Sequence, residues 1–219
     1  MRSQTYYPIF ADLHGRRCVV VGGGMVAQRK VTTLLQYGAD ITVVSPTATR
    51  RLRMYARQGT MRYLARQFRP ADLRGAWLVY AATADHRINT LVSRCATRLR
   101  IFANVVDRTP LCSFIAPAIM KRGELVIAIS TGGASPALAK QVRRTLNALI
   151  GSGYAPMLRL LKMLRGLAKR RLPSAHDRKQ YFDQLVGGRV FELVRAGRPS
   201  AARREALLLL ERSTLKNGS

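Results

Sequence analysis

The sequence predicts an α/β fold in which a doubly wound parallel sheet is followed by a hairpin, a helix and a helical C-terminal domain. In the first half, nearly continuous apolar strands alternate with helical segments, which is typical of a parallel sheet covered on both faces. After Pro110 two strand patterns follow each other at hairpin spacing. From Tyr154 onward the pattern is helical.

The first strand and helix form the clearest βα unit. The buried-strand pattern runs from Arg17 to Val21 and ends at three glycines. A helical pattern then runs from Met25 to Tyr37, and Gly38 is well placed to end it. Further strands are predicted over 39–46, 61–65, 76–83 and 100–107, and further helices over 47–58 and 85–98, with Asp85 as a cap.

The second half has a different pattern. Two strands are predicted over 114–120 and 124–129, joined around 121–123. Ser135 is expected to cap a helix that starts at Pro136 and runs to about Ile150. After glycines at 151 and 153, the pattern stays helical to residue 212, with interruptions near 173 and at 187–188.

The three glycines fit a dinucleotide-binding turn. Gly22, Gly24 and Ala27 match the pattern GxGxxG/A, in which the glycines allow a tight turn and a close approach to a pyrophosphate. The small third residue lets the helix pack on the strand, and the helix N-terminus offers N–H groups to phosphates. The alternative is a tight turn without a ligand. The position in the first βαβ unit favours a Rossmann-like, dinucleotide-binding sheet.

The end of the second strand lacks the acidic residue that often holds the ribose of NAD. Ser45, Thr47 or backbone groups are the alternatives for that contact. Arg50 and Arg51 follow, and they could instead accept the 2′-phosphate of NADP. These residues alone do not decide between NAD and NADP.

Asp107 ends the fifth predicted strand, in the segment NVVD. Ligands bind beyond the carboxyl ends of strands in open α/β sheets, so this carboxylate is placed to act as a general base or a metal ligand. A turn residue ahead of Pro110 is the alternative. The segment STGGASP, Ser130 to Pro136, offers a second strand-to-helix turn that could bind an anion or simply connect two elements.

The composition is strongly basic. The 219 residues include 38 lysines and arginines against 11 acidic residues, a net charge of +27, and 31 of the 38 are arginines. Such a surface attracts polyanions. A general arginine bias is the plain alternative, because the excess is spread along the chain rather than gathered in one arm.

Several function classes are disfavoured. The three cysteines are far apart and the three histidines form no paired motif, so neither a disulfide framework nor a histidine-based metal site is expected. No apolar run is long enough to span a membrane, and the N-terminal residues do not resemble a secretory signal, so a cytoplasmic location is expected.

Four segments together resemble a known family. They are PIFADLHGRRCVVVGGGMVAQRKVTTLLQYGADITVVSP, AATADHRIN, IFANVVDRTPLCSFIAPAIMKRGELVIAISTGGASPALAKQVR and DRKQYFDQL. Their order and the motifs GGGxVAxRK, NVVD and STGGxSP resemble the precorrin-2 dehydrogenase / sirohydrochlorin ferrochelatase family, the N-terminal module of siroheme synthases. The resemblance covers about residues 6 to 190.

The resemblance implies an architecture and an activity. The expected domains are an NAD-binding Rossmann domain over 1–112, a dimerisation region over 113–152 and a helical C-terminal domain over 153–219, in a homodimer. The expected reaction is NAD-dependent oxidation of precorrin-2 to sirohydrochlorin, followed by insertion of ferrous iron as a substrate to give siroheme. Both tetrapyrroles are polyanions, which suits the basic chain.

The resemblance also implies site residues. Asp107 is expected to be catalytic and to bind the metal transiently during chelation. Asn104 and Thr131 are expected to contact the substrate. The cofactor-binding residues are expected to be Gly22, Gly23, Gly24, Met25, Val26, Ser45, Pro46, Thr47 and Thr83.

Two alternatives remain at this stage. One is a dehydrogenase without chelatase activity, which the sequence does not separate from the bifunctional enzyme. The other is a dinucleotide-sensing regulator that binds nucleic acid, prompted by the net charge. No block resembles a recognition helix, so we expect no sequence-specific nucleic-acid partner. We expect no membrane partner either.

Overall fold

The computed structural model describes residues 5–215. The predicted start of the first domain at residue 1 and the predicted end of the last domain at residue 219 therefore lie outside the described residues. The chain divides into two compact units. The N-terminal unit extends to Ala116 and includes Gly132–Ala134, and the C-terminal unit comprises Pro117–Thr131 and the chain from Ser135. No helix within the described range is both long and apolar enough to cross a membrane.

The N-terminal unit contains the predicted doubly wound sheet. From residue 5 onward this unit has five strands, all parallel, in the order β3-β2-β1-β4-β5, which is the strand order of a Rossmann fold. The fold class is therefore confirmed. The strands are β1 (Arg17–Val21), β2 (Asp40–Val44), β3 (Arg62–Leu64), β4 (Leu78–Ala81) and β5 (Phe102–Val105).

Alternation along the central strand gives the sheet two buried faces. Cys18 and Val20 belong to one apolar core, and Val19 and Val21 belong to the other. Because successive side chains of a strand point to opposite faces, a continuous apolar strand requires helices on both sides. The covering helices are α1 (Met25–Leu35) and α2 (Arg50–Arg57) on the first face, and α3 (His86–Arg98) on the second.

Two helices of the N-terminal unit are at least two residues shorter than predicted. Helix α1 ends at Leu35 rather than Tyr37, two residues earlier, and Gly38 then takes a left-handed φ of +68°. Helix α2 starts at Arg50 rather than residue 47, because the Thr49 side chain accepts a hydrogen bond from the Leu52 N–H and caps the helix. The predicted Asp85 cap of α3 is confirmed, since its carboxylate accepts hydrogen bonds from two N–H groups.

The C-terminal unit begins with an antiparallel hairpin of β6 (Ala118–Arg122) and β7 (Leu125–Ile129). The predicted start of the first strand at 114 is wrong, because the Ser113 N–H and the Phe114 carbonyl bond to residues of β5. The turn is Gly123 and the residue after it, rather than 121–123, and Gly123 supplies a φ of +61°.

Five helices complete the described part of the C-terminal unit. Ser135 caps the first of them through the Leu138 N–H, as predicted. A break at Gly197 (φ +72°), which the sequence analysis missed, separates the last two. The helices are α4 (Pro136–Leu149), α5 (Tyr154–Arg171), α6 (Ala175–Gly187), α7 (Arg189–Arg195) and α8 (Pro199–Leu215), and the last four share one apolar core.

Candidate functional site

The glycine turn lies at the switch point of the sheet, between β1 and β4. Gly22 has a φ of +123°, and a methyl group there would collide with the Ala82 carbonyl after β4. A methyl group on Gly23 would collide with the Thr47 carbonyl after β2. The turn is therefore wedged between two neighbouring loops, which only glycine allows.

Gly24, in contrast to Gly22 and Gly23, is not crowded by neighbouring loops. A methyl group there would meet no protein atom within 4 Å, and the residue is exposed. It stands at the start of α1, and no side chain caps this helix. The start of α1 thus combines an uncapped first turn with open space beside Gly24, which suits a phosphate. Ala27, one turn inside, is fully buried against the sheet.

The loop after β2 carries no carboxylate. Ser45 is buried and its carbonyl accepts the Tyr63 hydroxyl at 2.9 Å, whereas Pro46 and Thr47 are exposed. The guanidinium of Arg51 is engaged with Tyr55, whose hydroxyl accepts from Nε at 2.8 Å. Arg50 is exposed at the first position of α2.

A pocket of about 350 Å³ lies at the carboxyl ends of β4 and β5. It brings together three predicted site residues from distant parts of the chain: Val26, Thr83 and Asp107. Helix α1 begins, and strands β4 and β5 end, on this side of the parallel sheet, which explains why the three residues lie close together. The lining residues are Val26, Ala82, Thr83, Ala84, His86, Asn89, Val106, Asp107 and Arg108.

Asn89 shapes the pocket and was missed in the sequence analysis. It is buried, and its amide nitrogen donates to the Thr83 carbonyl at 2.9 Å. Its amide oxygen accepts from the Thr83 hydroxyl at 3.0 Å. His86, which also lines the pocket, was missed as well. Their position in the sequence could have revealed them, because both residues lie in the first turn of the helix that follows β4.

Asp107 has an unusual backbone conformation. It is exposed in the pocket with a φ of +59°, and Arg100 is the other non-glycine residue with positive φ in the described range. This conformation costs energy for residues with a Cβ, although aspartate tolerates it better than most. Such local strain is common at functional sites.

Cys112 holds the loop that carries Asp107. Its sulfur accepts from the Val105 N–H at 3.1 Å and donates towards the carbonyls of Val105 and Arg108. Burial raises the pKa of the Cys112 thiol, so the neutral form that makes these bonds is favoured. The thiol therefore ties together the two sides of the loop around Asp107.

The two predicted substrate residues lie in different surroundings. Asn104 is buried in β5, and its side-chain amide donates to the Phe114 carbonyl at 3.0 Å. Thr131 belongs to the C-terminal unit, where its hydroxyl accepts from the Ser135 N–H at 3.0 Å and donates to the Ser135 carbonyl at 3.1 Å. A substrate role for either residue stays a prediction.

Comparison with family models decides the family. A model described as putative NAD(P)-binding matches residues 9–118, which is 110 of the 219 residues. The chain belongs to this NAD(P)-binding family. A model for the central part of sirohaem biosynthesis proteins matches residues 122–149, and one for the sirohaem synthase dimerisation region matches residues 153–210. The three consecutive matches confirm the resemblance to the N-terminal module of siroheme synthases.

Individual relatives support this membership. The siroheme synthase of Nitrosospira multiformis is 40% identical over 203 residues, which is 91% of this chain and 43% of that protein. Siroheme synthase 1 of Serratia proteamaculans is 40% identical over 200 residues, covering 91% of this chain and 42% of that protein. The chain thus spans less than half the length of the curated relatives it matches.

A solved structure matches over nearly the whole chain. The structure of SirC, a precorrin-2 dehydrogenase, superposes with a TM-score of 0.74 and 28% sequence identity. The match covers 94% of this chain and 100% of that one. Both the sheet and the helical region are therefore shared with SirC.

Proposed function

We propose that this chain catalyses the NAD-dependent oxidation of precorrin-2 to sirohydrochlorin. The main observation is that one pocket contains both Val26, which follows the glycine turn, and the carboxylate residue Asp107, whose backbone has a positive φ. A hydride acceptor and a base are the two partners that a dehydrogenation needs. The similarity to SirC and to siroheme synthases supports this substrate class.

The proposed cofactor site surrounds the glycine turn. Gly24 leaves room for a pyrophosphate at the uncapped start of α1, which fits the phosphates of NAD. The residues that would hold NAD are Gly22 to Val26, Ser45 to Thr47, and Thr83. When bound, NAD supplies the electrophilic nicotinamide ring that accepts a hydride.

The chemistry of the chain's own residues centres on Asp107. Oxidation of precorrin-2 transfers a hydride, which is one proton with two electrons, to NAD⁺. A second proton is released to a base. The products are sirohydrochlorin, NADH and a proton. Asp107 accepts this proton, and the loop held by Cys112 keeps the carboxylate in place. Arg108 lines the same pocket and offers a positive charge to substrate carboxylates.

We propose further that the chain inserts ferrous iron into sirohydrochlorin. Two pyrrole protons must leave as Fe²⁺ enters, and in this proposal Asp107 accepts protons and contacts iron transiently. Iron is a substrate in this proposal, and residues 5–215 contain no group of three His, Cys, Asp or Glu side chains that could hold a metal ion. An assay of iron insertion into sirohydrochlorin without NAD tests this step, and the absence of siroheme would leave a dehydrogenase alone.

Substitution of Asp107 tests the dehydrogenase proposal. We expect the purified chain to release NADH when it receives precorrin-2 and NAD, and Asp107→Asn to lower kcat by about a hundredfold or more. Asp40→Asn is the matched control, because Asp40 is an exposed carboxylate at the amino end of β2, whereas the pocket lies at the carboxyl ends of the strands. Normal turnover by the Asp107→Asn variant would show that another group is the base.

We also propose that the chain forms a homodimer. Helix α4 exposes Leu138, Val142 and Leu149, which lie within about 40° on one helical face. An exposed apolar stripe of this kind is typical of an interface. The family model for a dimerisation region matches residues 153–210, which lie outside α4, so it supports a homodimer but not this particular face. Val142→Glu should convert the dimer to a monomer in light-scattering measurements, whereas Lys140→Glu on another face of α4 should not.

A further inference from the structure

Asn89 is the most deeply buried of the residues that line the pocket, with 3% of its surface exposed. It lies in the first turn of α3, where its backbone N–H donates to the Asp85 carbonyl at 3.1 Å. A buried amide side chain costs free energy unless its donor and acceptor atoms are paired. The partners of this amide therefore indicate its role.

The side chain of Asn89 makes three hydrogen bonds to one residue, Thr83. Its amide nitrogen donates to the Thr83 carbonyl at 2.9 Å. Its amide oxygen accepts from the Thr83 N–H at 3.3 Å and from the Thr83 hydroxyl at 3.0 Å. Because Thr83 offers two donors and one acceptor, only this orientation of the amide satisfies all three bonds. The side chain thus fixes the Thr83 backbone on both sides.

The start of α3 does not need Asn89 as a cap. Asp85 already caps the helix, because its carboxylate accepts from the N–H groups of Arg87 and Ile88. The Asp85 N–H also donates to the Thr83 hydroxyl at 3.1 Å, so the cap and Thr83 belong to one network. The amide of Asn89 therefore holds the loop between β4 and α3 rather than the helix end.

The loop that Asn89 holds packs directly on the glycine turn. The Ala82 N–H donates to the Val21 carbonyl at 2.8 Å. A methyl group on Gly22 would lie 2.3 Å from the Ala82 carbonyl oxygen and 3.2 Å from the Thr83 nitrogen. No side chain fits between the loop and the turn. A displacement of Thr83 would therefore change the wall of the pocket next to the glycine turn.

We propose that Asn89 is a positioning residue, whose buried amide fixes Thr83 beside the glycine turn before NAD arrives, so that NAD binds to a preformed site. This inference rests on the proposed cofactor site, which includes Thr83. A loop that becomes ordered only on binding reduces the affinity, whereas a loop ordered in advance avoids that cost. Because the polar atoms of the Asn89 side chain are engaged with Thr83, Asn89 acts through that residue.

Calorimetric titration with NAD tests the inference. Asn89→Leu keeps a branched side chain but removes all three bonds, so it should weaken NAD binding about tenfold or more. Asn89→Asp keeps the size of the side chain but places a carboxylate oxygen against the Thr83 carbonyl, so it should weaken binding to a similar degree.

Ser93→Ala is the matched control. Ser93 is buried one turn further along α3, and its hydroxyl donates to the Leu111 carbonyl at 2.8 Å. Its substitution therefore removes a buried polar group from the same helix without touching Thr83. We expect Ser93→Ala to change NAD affinity by less than about twofold.

Kinetics separate positioning from simple destabilisation. In the precorrin-2 assay, the KM for NAD of Asn89→Leu should rise about tenfold or more, while kcat stays within about threefold, because bound NAD itself orders the loop. A smaller folded fraction would lower the measured rate without changing KM. Thermal unfolding gives the folded fraction of each variant. A lowered kcat with an unchanged KM for NAD would overturn the inference.

A measurement without NAD separates this inference from the proposed cofactor site. In the free chain, amide hydrogen exchange of the loop residues 82–85 should be about tenfold faster or more in Asn89→Leu, and unchanged in Ser93→Ala. If the unmodified chain bound no NAD, the proposed cofactor site would be wrong, and this inference with it. If the unmodified chain bound NAD, normal affinity in either Asn89 variant, or unchanged exchange in Asn89→Leu, would refute the role of Asn89 alone.

Discussion

At the scale of single residues, the neighbouring glycines Gly23 and Gly24 make a matched pair. A methyl group on Gly23 collides with the Thr47 carbonyl, so Gly23→Ala should lower the free energy of unfolding by about 2–3 kcal/mol. The same change at Gly24 meets open space, so Gly24→Ala should alter stability by about 0.5 kcal/mol or less. We nevertheless expect Gly24→Ala to weaken NAD binding about tenfold, because the methyl group occupies the proposed pyrophosphate position.

Chemical denaturation and calorimetric titration with NAD check this pair. The two substitutions should separate stability from binding. Unchanged NAD affinity in Gly24→Ala would show that the cofactor phosphates lie elsewhere. An unfolding free energy of Gly23→Ala equal to that of the unmodified chain would show that the loop after β2 yields easily to the added methyl group.

Arg100 and Asp107 both take a left-handed backbone, but only one of them lines the pocket. Arg100 follows the end of α3 in the position where glycine is usual, with the Ile101 N–H bonded back to the Ala96 carbonyl. Arg100→Gly should therefore raise the free energy of unfolding by about 0.5–1 kcal/mol and leave activity unchanged. Asp107→Gly should also relieve strain, yet it should abolish NADH formation.

Urea unfolding curves and the precorrin-2 assay measure the two effects side by side. Because aspartate tolerates positive φ better than arginine, the gain for Asp107→Gly should be the smaller of the two. A loss of stability in Asp107→Gly larger than about 1 kcal/mol would indicate that the carboxylate holds the fold rather than serving the reaction.

At the scale of elements, the segment after β3 contains the best-defined ion pair of the N-terminal unit. Arg66 donates two hydrogen bonds to the Asp72 carboxylate, at 2.6 and 2.9 Å, and the Arg69 N–H donates a third. Arg66, with the Arg69 N–H, holds the pKa of Asp72 below its usual range. The pair thus fixes the chain that leads from the edge strand back to β4.

The lowered pKa of Asp72 predicts a pH dependence of stability. The contribution is fully present above the unfolded value of about 4 and is lost as the pH falls through the lower native pKa. Asp72→Asn should therefore be less stable than the unmodified chain at pH 7, and the difference should close as the pH falls below about 4. Urea unfolding at a series of pH values measures this, with Asp40→Asn as control. A difference that stays constant with pH would exclude the ion pair as its cause.

The elements also show what can be predicted from sequence. The bounds of β1 and the caps at Asp85 and Ser135 were predictable, because apolar runs and capping residues act locally. The start of β6 was not, because hydrogen bonds from the distant strand β5 hold residues 113 and 114. Local patterns do not contain such contacts.

The site was predictable to a similar degree. The glycine turn and Asp107 follow strands directly, so a parallel topology brings them to one edge. Asn89 and His86 were missed because each lies inside a helix, where polar residues usually face solvent. Their contribution depends on which helical face meets the sheet edge, and that is a property of packing. The three-part division at 112 and 152 remains a prediction.

At the scale of the whole molecule, the charge is far from balanced. With 38 basic and 11 acidic residues, at least 27 cations have no acidic counterpart in the chain. The ion pairs of Arg66 with Asp72 and of Lys162 with Glu124 therefore engage two of the few carboxylates in the chain. Helix α5 carries several exposed basic side chains, among them Arg159, Lys162, Arg165, Lys169 and Arg170.

The ionic-strength dependence of catalysis tests whether this charge serves the proposed substrate. Precorrin-2 carries eight carboxylates, whereas NAD has a net charge near −1, so long-range attraction should favour the tetrapyrrole strongly. Between about 20 and 300 mM salt, kcat/KM for precorrin-2 should fall about fivefold or more as the surface charges are screened. KM for NAD should change by less than about twofold over the same range. If salt changed the kinetics of precorrin-2 and NAD equally, the arginines would instead reflect a general compositional bias. Any binding of nucleic acid should then be non-specific and should also weaken with salt.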